Sequence, residues 1–293
     1  MTDPSLRPAS LAREAVATAR TLAVGTLPGL ALFALAAAGW AWFNHQSVNA
    51  GAFGSLGEQG LWLFVGLMTI FVGCFWSADM YRKALPEAGE RNLFGDAGRL
   101  FLANLAVYGL YFLLFFFLTL FFSLLVGILL GTAGYDPSQQ ASPESVSQSM
   151  QALSESGGAV LLYLLMLVAM AGLVWLGLRL FLFGVATVAE RRVTIFRSWS
   201  WTSRHVSRLA LVWVFLQLVP WLVAMLLVMA AAHAAGLTGS AQAAGATPAL
   251  PVAALTGLTV LLLAPFFWLG HGLAVVLYKR LAPNRVDAET TFG

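Results

Sequence analysis

The sequence predicts an all-α polytopic membrane protein, a bundle of six transmembrane helices with both termini on the cytoplasmic side. Three observations predict it. Apolar residues make up 59% of the chain and charged residues 10%, whereas charged residues alone reach about a quarter of a soluble globular protein. Six apolar runs, at about 22–43, 60–81, 100–131, 159–189, 209–235 and 250–278, each reach the ~20 residues needed to cross a ~30 Å hydrocarbon core. Of the sixteen Lys and Arg residues, fifteen lie in segments that fall on one side of such a topology, Arg179 lies inside a run, and none lies on the other side. An excess of basic residues marks the cytoplasmic side.

The first run follows Arg20, passes Ala36-Ala37-Ala38 and continues through Trp40, Trp42 and Phe43. That is longer than the roughly 7–15 apolar residues of a secretory signal, so a retained first helix is expected. The third and fourth runs approach thirty residues, about 45 Å of helix at 1.5 Å per residue, and must tilt, kink or project. Pro28, Pro220 and Pro265 each remove one helical hydrogen bond and predict kinks in helices one, five and six. Gly127-x-x-x-Gly131 permits a close helix approach but is weak evidence of dimerisation by itself. The connections 44–59, 132–158 and 236–249 are polar and nearly uncharged, and Ser142-Pro143-Glu144 signals a short surface helix over about 143–153.

At 100° per residue, Ile195, Trp199, Thr202 and Val206 fall within an arc of about 60°, with Arg197, Arg204 and Arg208 opposite. This pattern predicts an interfacial amphipathic helix over 191–208 leading into helix five. Weaker lead-ins run from Leu11 to Arg20 and from Leu93 to Arg99. Helices two and six both end in Tyr-x₀-basic-basic style, as Tyr81-Arg82-Lys83 before Pro86 and Tyr278-Lys279-Arg280 before Pro283. Three repeated hairpin units are one explanation, and the ordinary chemistry of an inner membrane boundary is the other. A polar tail, 281–293, follows.

Several function classes are disfavoured. The net charge of +3 is spread over short segments that also carry acids, so no nucleic-acid partner is expected. The lone Cys74 excludes an intrachain disulfide and a cysteine metal cluster. His45, His205 and His233 have no second ligand at helical spacing, so neither metal nor cofactor is expected. The sequence contains no His-Glu-x-x-His, no Gly-x-Ser-x-Gly and no Gly-x-x-x-x-Gly-Lys; Phe53-Gly54-Ser55-Leu56-Gly57 lacks the first glycine of a nucleophile elbow. No enzyme is expected. Fourteen Arg against two Lys suggest a GC-rich bacterial genome.

Arg179 is the residue most in need of explanation. It lies about 11 residues, near 16 Å of helix, from Glu190 at the inner boundary, and inserting it costs roughly 2.5 kcal/mol or more unless partners offset the charge. Candidate partners are Asp79, His271 and carbonyls freed near Pro220 and Pro265. Two readings stay open: an internal ion pair that fixes helix packing, or a site for a lipid phosphate or other anion with Arg179 as donor. His271, Asn104 and Gln217 are isolated polar residues of the kind that bridge helices.

The segment Arg179-Leu180-Phe181, Val188-Ala189-Glu190 and Ile195-Phe196-Arg197-Ser198-Trp199-Ser200-Trp201-Thr202 resembles bacterial six-helix proteins related to the membrane domain of glycerophosphodiester phosphodiesterases, including the YciC-like envelope proteins. In that group an intramembrane Arg, a Glu at the inner boundary and an Arg-Ser-Trp segment with a following Thr recur in this order. The resemblance covers roughly 175–215. The chain departs from the phosphodiesterase members in having no soluble catalytic domain after residue 280, so no hydrolase activity is implied. What the resemblance implies is a bacterial inner-membrane location and an association with lipid or envelope physiology.

Together these readings favour a non-enzymatic inner-membrane protein that engages phospholipid or another envelope amphiphile at an inner-leaflet cavity between helices two, four and six. Arg179, Asp79, His271 and Glu190 would form its site, with Arg197 and Arg204 recruiting headgroups. The alternatives are a membrane scaffold or accessory subunit with a membrane-protein partner and, more weakly, a small-solute transporter.

Overall fold

A computed structural model describes residues 7–49, 55–85, 92–132, 147, 151, 153–155, 157–203, 205–237 and 248–282. Among them the chain is all-α, with no strand. Six helices are long and apolar enough to cross a membrane, within Leu27–Asn49, Leu56–Ala84, Leu93–Thr132, Gly158–Ala189, Val206–Ala234 and Ala249–Leu281. The expected all-α class and the count of six membrane-length helices hold. Arg204, most of the expected surface helix over 143–153 and the tail beyond 282 lie outside the described residues. The chain divides into two compact units, Met1–Asn104 with Arg179–Gly293, and Leu105–Leu178.

In the first unit the chain starts as two helices, α1 (Pro8–Gly25) and α2 (Leu27–Asn49), with a break at Thr26. The cause is Pro28, which has no N–H to offer the preceding turn. Side chains tie off the break: the Thr26 hydroxyl donates to the Leu22 carbonyl at 2.8 Å, Trp76 Nε1 donates to the Thr26 carbonyl at 3.1 Å, and Trp268 Nε1 donates to Thr26 Oγ1 at 3.2 Å. Lys83 Nζ donates to the Gly25 carbonyl at the end of α1, where the helix dipole favours a cation. α3 (Leu56–Ala84) opens with a capping box in which Ser55 and Glu58 satisfy each other's backbone N–H groups.

The last span is broken in the same way, into α10 (Ala249–Leu262) and α11 (Ala264–Leu281), with Leu263 between them and Pro265 just inside α11. α1 lies along α11 and α2 along α10. Small residues let these helices come close. A Cβ on Gly272 would sit 2.6 Å from the Ala15 carbonyl oxygen, and one on Gly257 would touch Ala38 and the Ala34 carbonyl oxygen. Between helices in lipid there is little hydrophobic driving force, so tight backbone packing and hydrogen bonds supply the attraction. Leu22, Leu30, Ala34, Ala37, Trp76 and Met80 form the buried centre, with Phe33, Phe267 and Trp268 packed on it.

α4 (Leu93–Thr132) begins in this unit and continues into the second. α5 (Gly158–Leu180) and α6 (Phe183–Ala189) make the fourth span, which breaks at Phe181 and Leu182 without a proline. Next come α7 (Arg197–Thr202), α8 (Val206–Trp213), a π-helical turn (Val214–Leu218) and α9 (Val219–Ala234). The π turn is the distortion expected from Pro220. Proline leaves the Leu216 carbonyl without its helical donor, and Gln217 Nε2 supplies one at 2.9 Å while also reaching the Phe266 carbonyl at 3.1 Å. Gln217 thus bridges two helices.

The lead-in over Leu11–Arg20 is a helix of its own ahead of the first span, and the other two lead-ins differ from expectation. α1 is an 18-residue helix whose Leu11, Ala15, Ala19 and Leu22 are buried, and Leu93–Arg99 is continuous with α4. No single amphipathic helix spans 191–208. Arg191 adopts a left-handed backbone (φ 54°), Ile195 precedes α7, Trp199 lies within it and Val206 starts α8. The residues buried along α7 are Ser198 and Thr202, so of the expected arc Thr202 is buried while Ile195, Trp199 and Val206 are half-buried. Polar bonds to the fourth span outweigh the apolar periodicity.

In the second unit, α4 and α5 are joined by a hydrogen bond from the Tyr111 hydroxyl to the Leu173 carbonyl at 3.3 Å. Gly127 and Gly131 face open space among the described residues, so the Gly-x-x-x-Gly pair is not an internal packing contact.

Candidate functional site

Arg179 ends the apolar part of the fourth span and meets α7. Its Nη1 donates to the Trp199 carbonyl at 3.1 Å, and its guanidinium lies 5.0 Å from the Trp199 ring centre, within cation–π range. The contact is reciprocal. Ser198 Oγ donates to the Arg179 carbonyl at 2.8 Å, and Thr202 Oγ1 at 3.3 Å. Side-chain donors inserted into the helical ladder bend helices, which accounts for the break at Phe181 and Leu182 without proline.

Glu190 holds the other end of the segment. Its Oε2 accepts from Arg192 at 2.9 Å and from Arg197 at 2.5 Å. Its side chain is 9% exposed, while those of Arg192 and Arg197 are 62% and 51% exposed. Thr187 Oγ1 accepts from the Thr194 backbone N–H at 3.2 Å and closes the loop between α6 and α7. The loop presents Val193 and Phe196, both exposed, beside these arginines. Arg179, Glu190, Arg197, Ser198, Trp199 and Thr202 therefore form one locked turn.

Asp79 and His271 each have a polar partner on their own helix. Asp79 pairs with Lys83 at 2.6 Å. His271 Nδ1 donates to the Phe267 carbonyl at 2.7 Å, and its ring lies 4.7 Å from that of Tyr81. Helices two, four and six meet through α3, α6 and α11, with Tyr81, Val185, Val188, Leu273 and Leu277 buried. A Cβ on Gly184 would sit 3.0 Å from the Tyr81 hydroxyl. Asn104 donates to the Leu100 carbonyl at 2.9 Å and reaches Cys74 Sγ at 3.5 Å, a bridge between the second and third spans.

Sequence reasoning missed three features. Asp96 is 1% exposed and pairs with Arg99 at 2.7 Å; the i,i+3 spacing at a helix start was the available signal. Glu14 and Arg280, at opposite ends of the chain, form an ion pair that no local pattern announces. A third feature lies in the second unit, where a cavity of about 570 Å³ is walled by Phe115, Phe122 and Val126 of α4 and Leu162, Met166 and Met170 of α5, with Thr119, Ser123 and Tyr163 as polar members. Its volume is in the range of small-molecule sites. Among the described residues no three His, Cys, Asp or Glu side chains gather to hold a metal ion. No family model matches the chain, and neither a curated protein nor a solved structure is similar to it at a significant level.

Proposed function

We propose that this is a non-enzymatic protein of the bacterial inner membrane, N-in and C-in, that engages a phospholipid or related envelope amphiphile through its apolar chain. The observation that carries this reading is the apolar cavity between α4 and α5. Its walls are side chains of both helices, among them Phe115, Phe122, Leu162 and Met166, which leave room for an acyl chain between α4 and α5. Arg179 is a brace in this reading, because its guanidinium is occupied by the Trp199 carbonyl and ring. The test is mass spectrometry of lipids retained by the purified protein, with Ala169→Phe, which fills the cavity, and Arg179→Gln beside the wild type. Ala169→Phe is expected to lose the retained lipid at unchanged thermal stability, and Arg179→Gln to keep the lipid while unfolding at lower temperature. Retention by Ala169→Phe at the wild-type level removes the cavity from the proposal.

A second reading, a membrane scaffold or accessory subunit, is favoured by the loop that presents Val193 and Phe196 beside Arg192 and Arg197. Its test is co-purification of a defined partner that Phe196→Ser abolishes while lipid retention persists.

A further inference from the structure

A second cavity, about 290 Å³, lies between α1 and α11 at the end of the last span. Glu14 and Thr18 line it from α1, and Val275, Val276, Lys279 and Arg280 from α11. Basic residues in the last turn of a helix have two ordinary explanations, namely orientation in the membrane and interaction with the helix dipole, and both leave the side chain in solvent. Arg280 is different. Its side chain is only 19% exposed. Its Nη2 is paired with Glu14, while its Nη1 is buried and has no acceptor among the described residues. Lys279 also lines the cavity, and its Nζ donates to the Ala84 carbonyl of α3 at 3.2 Å. The cavity thus has two cations, one carboxylate that neutralises one of them, the Thr18 hydroxyl, and apolar walls from two valines.

We infer that this cavity is a phosphate-group site, with Arg280 as the forked donor, Lys279 and Thr18 as supporting contacts and Glu14 as the competing counter-ion. A guanidinium offers five N–H donors in one plane, which suits the oxygens of a phosphate better than those of an uncharged group. The volume is at the lower end of ligand sites, enough for a headgroup and too small for a whole amphiphile. The group is either a lipid headgroup, for which basic pockets between membrane helices are the usual receptor, or free phosphate. The site shares no residue with the apolar cavity between α4 and α5, so either can fail without the other.

The experiment measures binding of phosphatidylglycerol, of diacylglycerol, which has the same chains without phosphate, and of inorganic phosphate to the full-length protein by native mass spectrometry and thermal shift. Wild type is expected to prefer phosphatidylglycerol over diacylglycerol, Arg280→Gln to lose that preference by at least about tenfold, and Glu14→Gln to strengthen it, because the competing carboxylate is gone. Protection by inorganic phosphate at millimolar levels identifies the free ion as the source; protection by the lipid alone identifies the headgroup. The Glu14→Gln arm is decisive where Arg280→Gln fails to fold. If Glu14→Gln lowers the unfolding temperature and leaves the preference where it was, or if the wild type shows no preference, the pair is only a clasp between α1 and α11 and the site is refuted.

Discussion

The unit formed by Met1–Asn104 with Arg179–Gly293 and the unit formed by Leu105–Leu178 are both built from apolar helices, yet they are held in different ways. In the first, Trp76, Met80 and Leu273 are essentially sealed from solvent. Its helices are tied by Trp76 and Trp268 to Thr26, by Gln217 to Phe266, and by Arg179 to α7. In the second, Phe112, Phe117 and Leu124 are more than half exposed, and Tyr111 to Leu173 is a polar tie within a largely apolar pair. Apolarity does not track burial here. The most apolar stretch of Leu93–Thr132 has a mean hydropathy of 2.8 and none of it is buried, whereas that of Ala249–Leu281 has 2.1 and 44% is buried. In lipid, large apolar side chains are as comfortable outward as inward, and it is small residues and hydrogen bonds that bring helices together.

The contrast can be broken most forcefully at Trp76. Trp76→Ala removes a fully buried ring and its bond to Thr26, and should cost about 3–5 kcal/mol, read as a large fall in unfolding temperature in detergent. Phe121→Ala, whose ring is 52% exposed, should stay within about 0.5 kcal/mol. Equal losses would mean that the two units are not differently built.

Glycine replacements sharpen it by sign. Gly272→Ala forces a Cβ to 2.6 Å from the Ala15 carbonyl oxygen, an overpacking that should cost about 1–3 kcal/mol. Gly172→Ala meets nothing within 4 Å and should be stabilising by up to about 1 kcal/mol from helix propensity. Denaturant titration of both variants decides the matter, and a neutral Gly272→Ala would contradict the close approach of α1 to α11.

Smaller effects come from the polar ties. Gln217→Leu leaves the Leu216 and Phe266 carbonyls without their side-chain donor and should cost about 1–2 kcal/mol, with faster hydrogen exchange at the π turn as its local signature. Arg192→Ala removes a pair whose arginine is 62% exposed. It should change stability by about 0–1 kcal/mol, and only at low salt; a larger loss would show that the Glu190 cluster stabilises the turn more than its exposure implies.

How far the sequence could be read differs by feature. Kinks at Pro28, Pro220 and Pro265 were legible because proline acts on its own backbone, whatever surrounds it. The break at Phe181 was not, because it depends on hydroxyls of Ser198 and Thr202 that come from another helix. The sequence marks Arg179 as a residue that needs a partner, and the fold supplies the Trp199 carbonyl and ring from a neighbouring helix, while Asp79 pairs with Lys83 and His271 bonds the Phe267 carbonyl. The amphipathic arc of 191–208 misled for a related reason, since helical periodicity assumes an unbroken helix and the left-handed Arg191 and the non-helical residues after it interrupt one.

Hydropathy and length were sufficient for six membrane-length helices, because the cost of placing polar backbone and charges in hydrocarbon is paid residue by residue along the chain. Which helices touch was settled only in three dimensions. The pairing of α1 with α11 rests on Gly272 against Ala15 and on Glu14 with Arg280, contacts between residues more than 250 positions apart. The two cavities likewise exist only because particular side chains fail to fill the space between helices, which is a property of packing and leaves no periodic trace in the sequence.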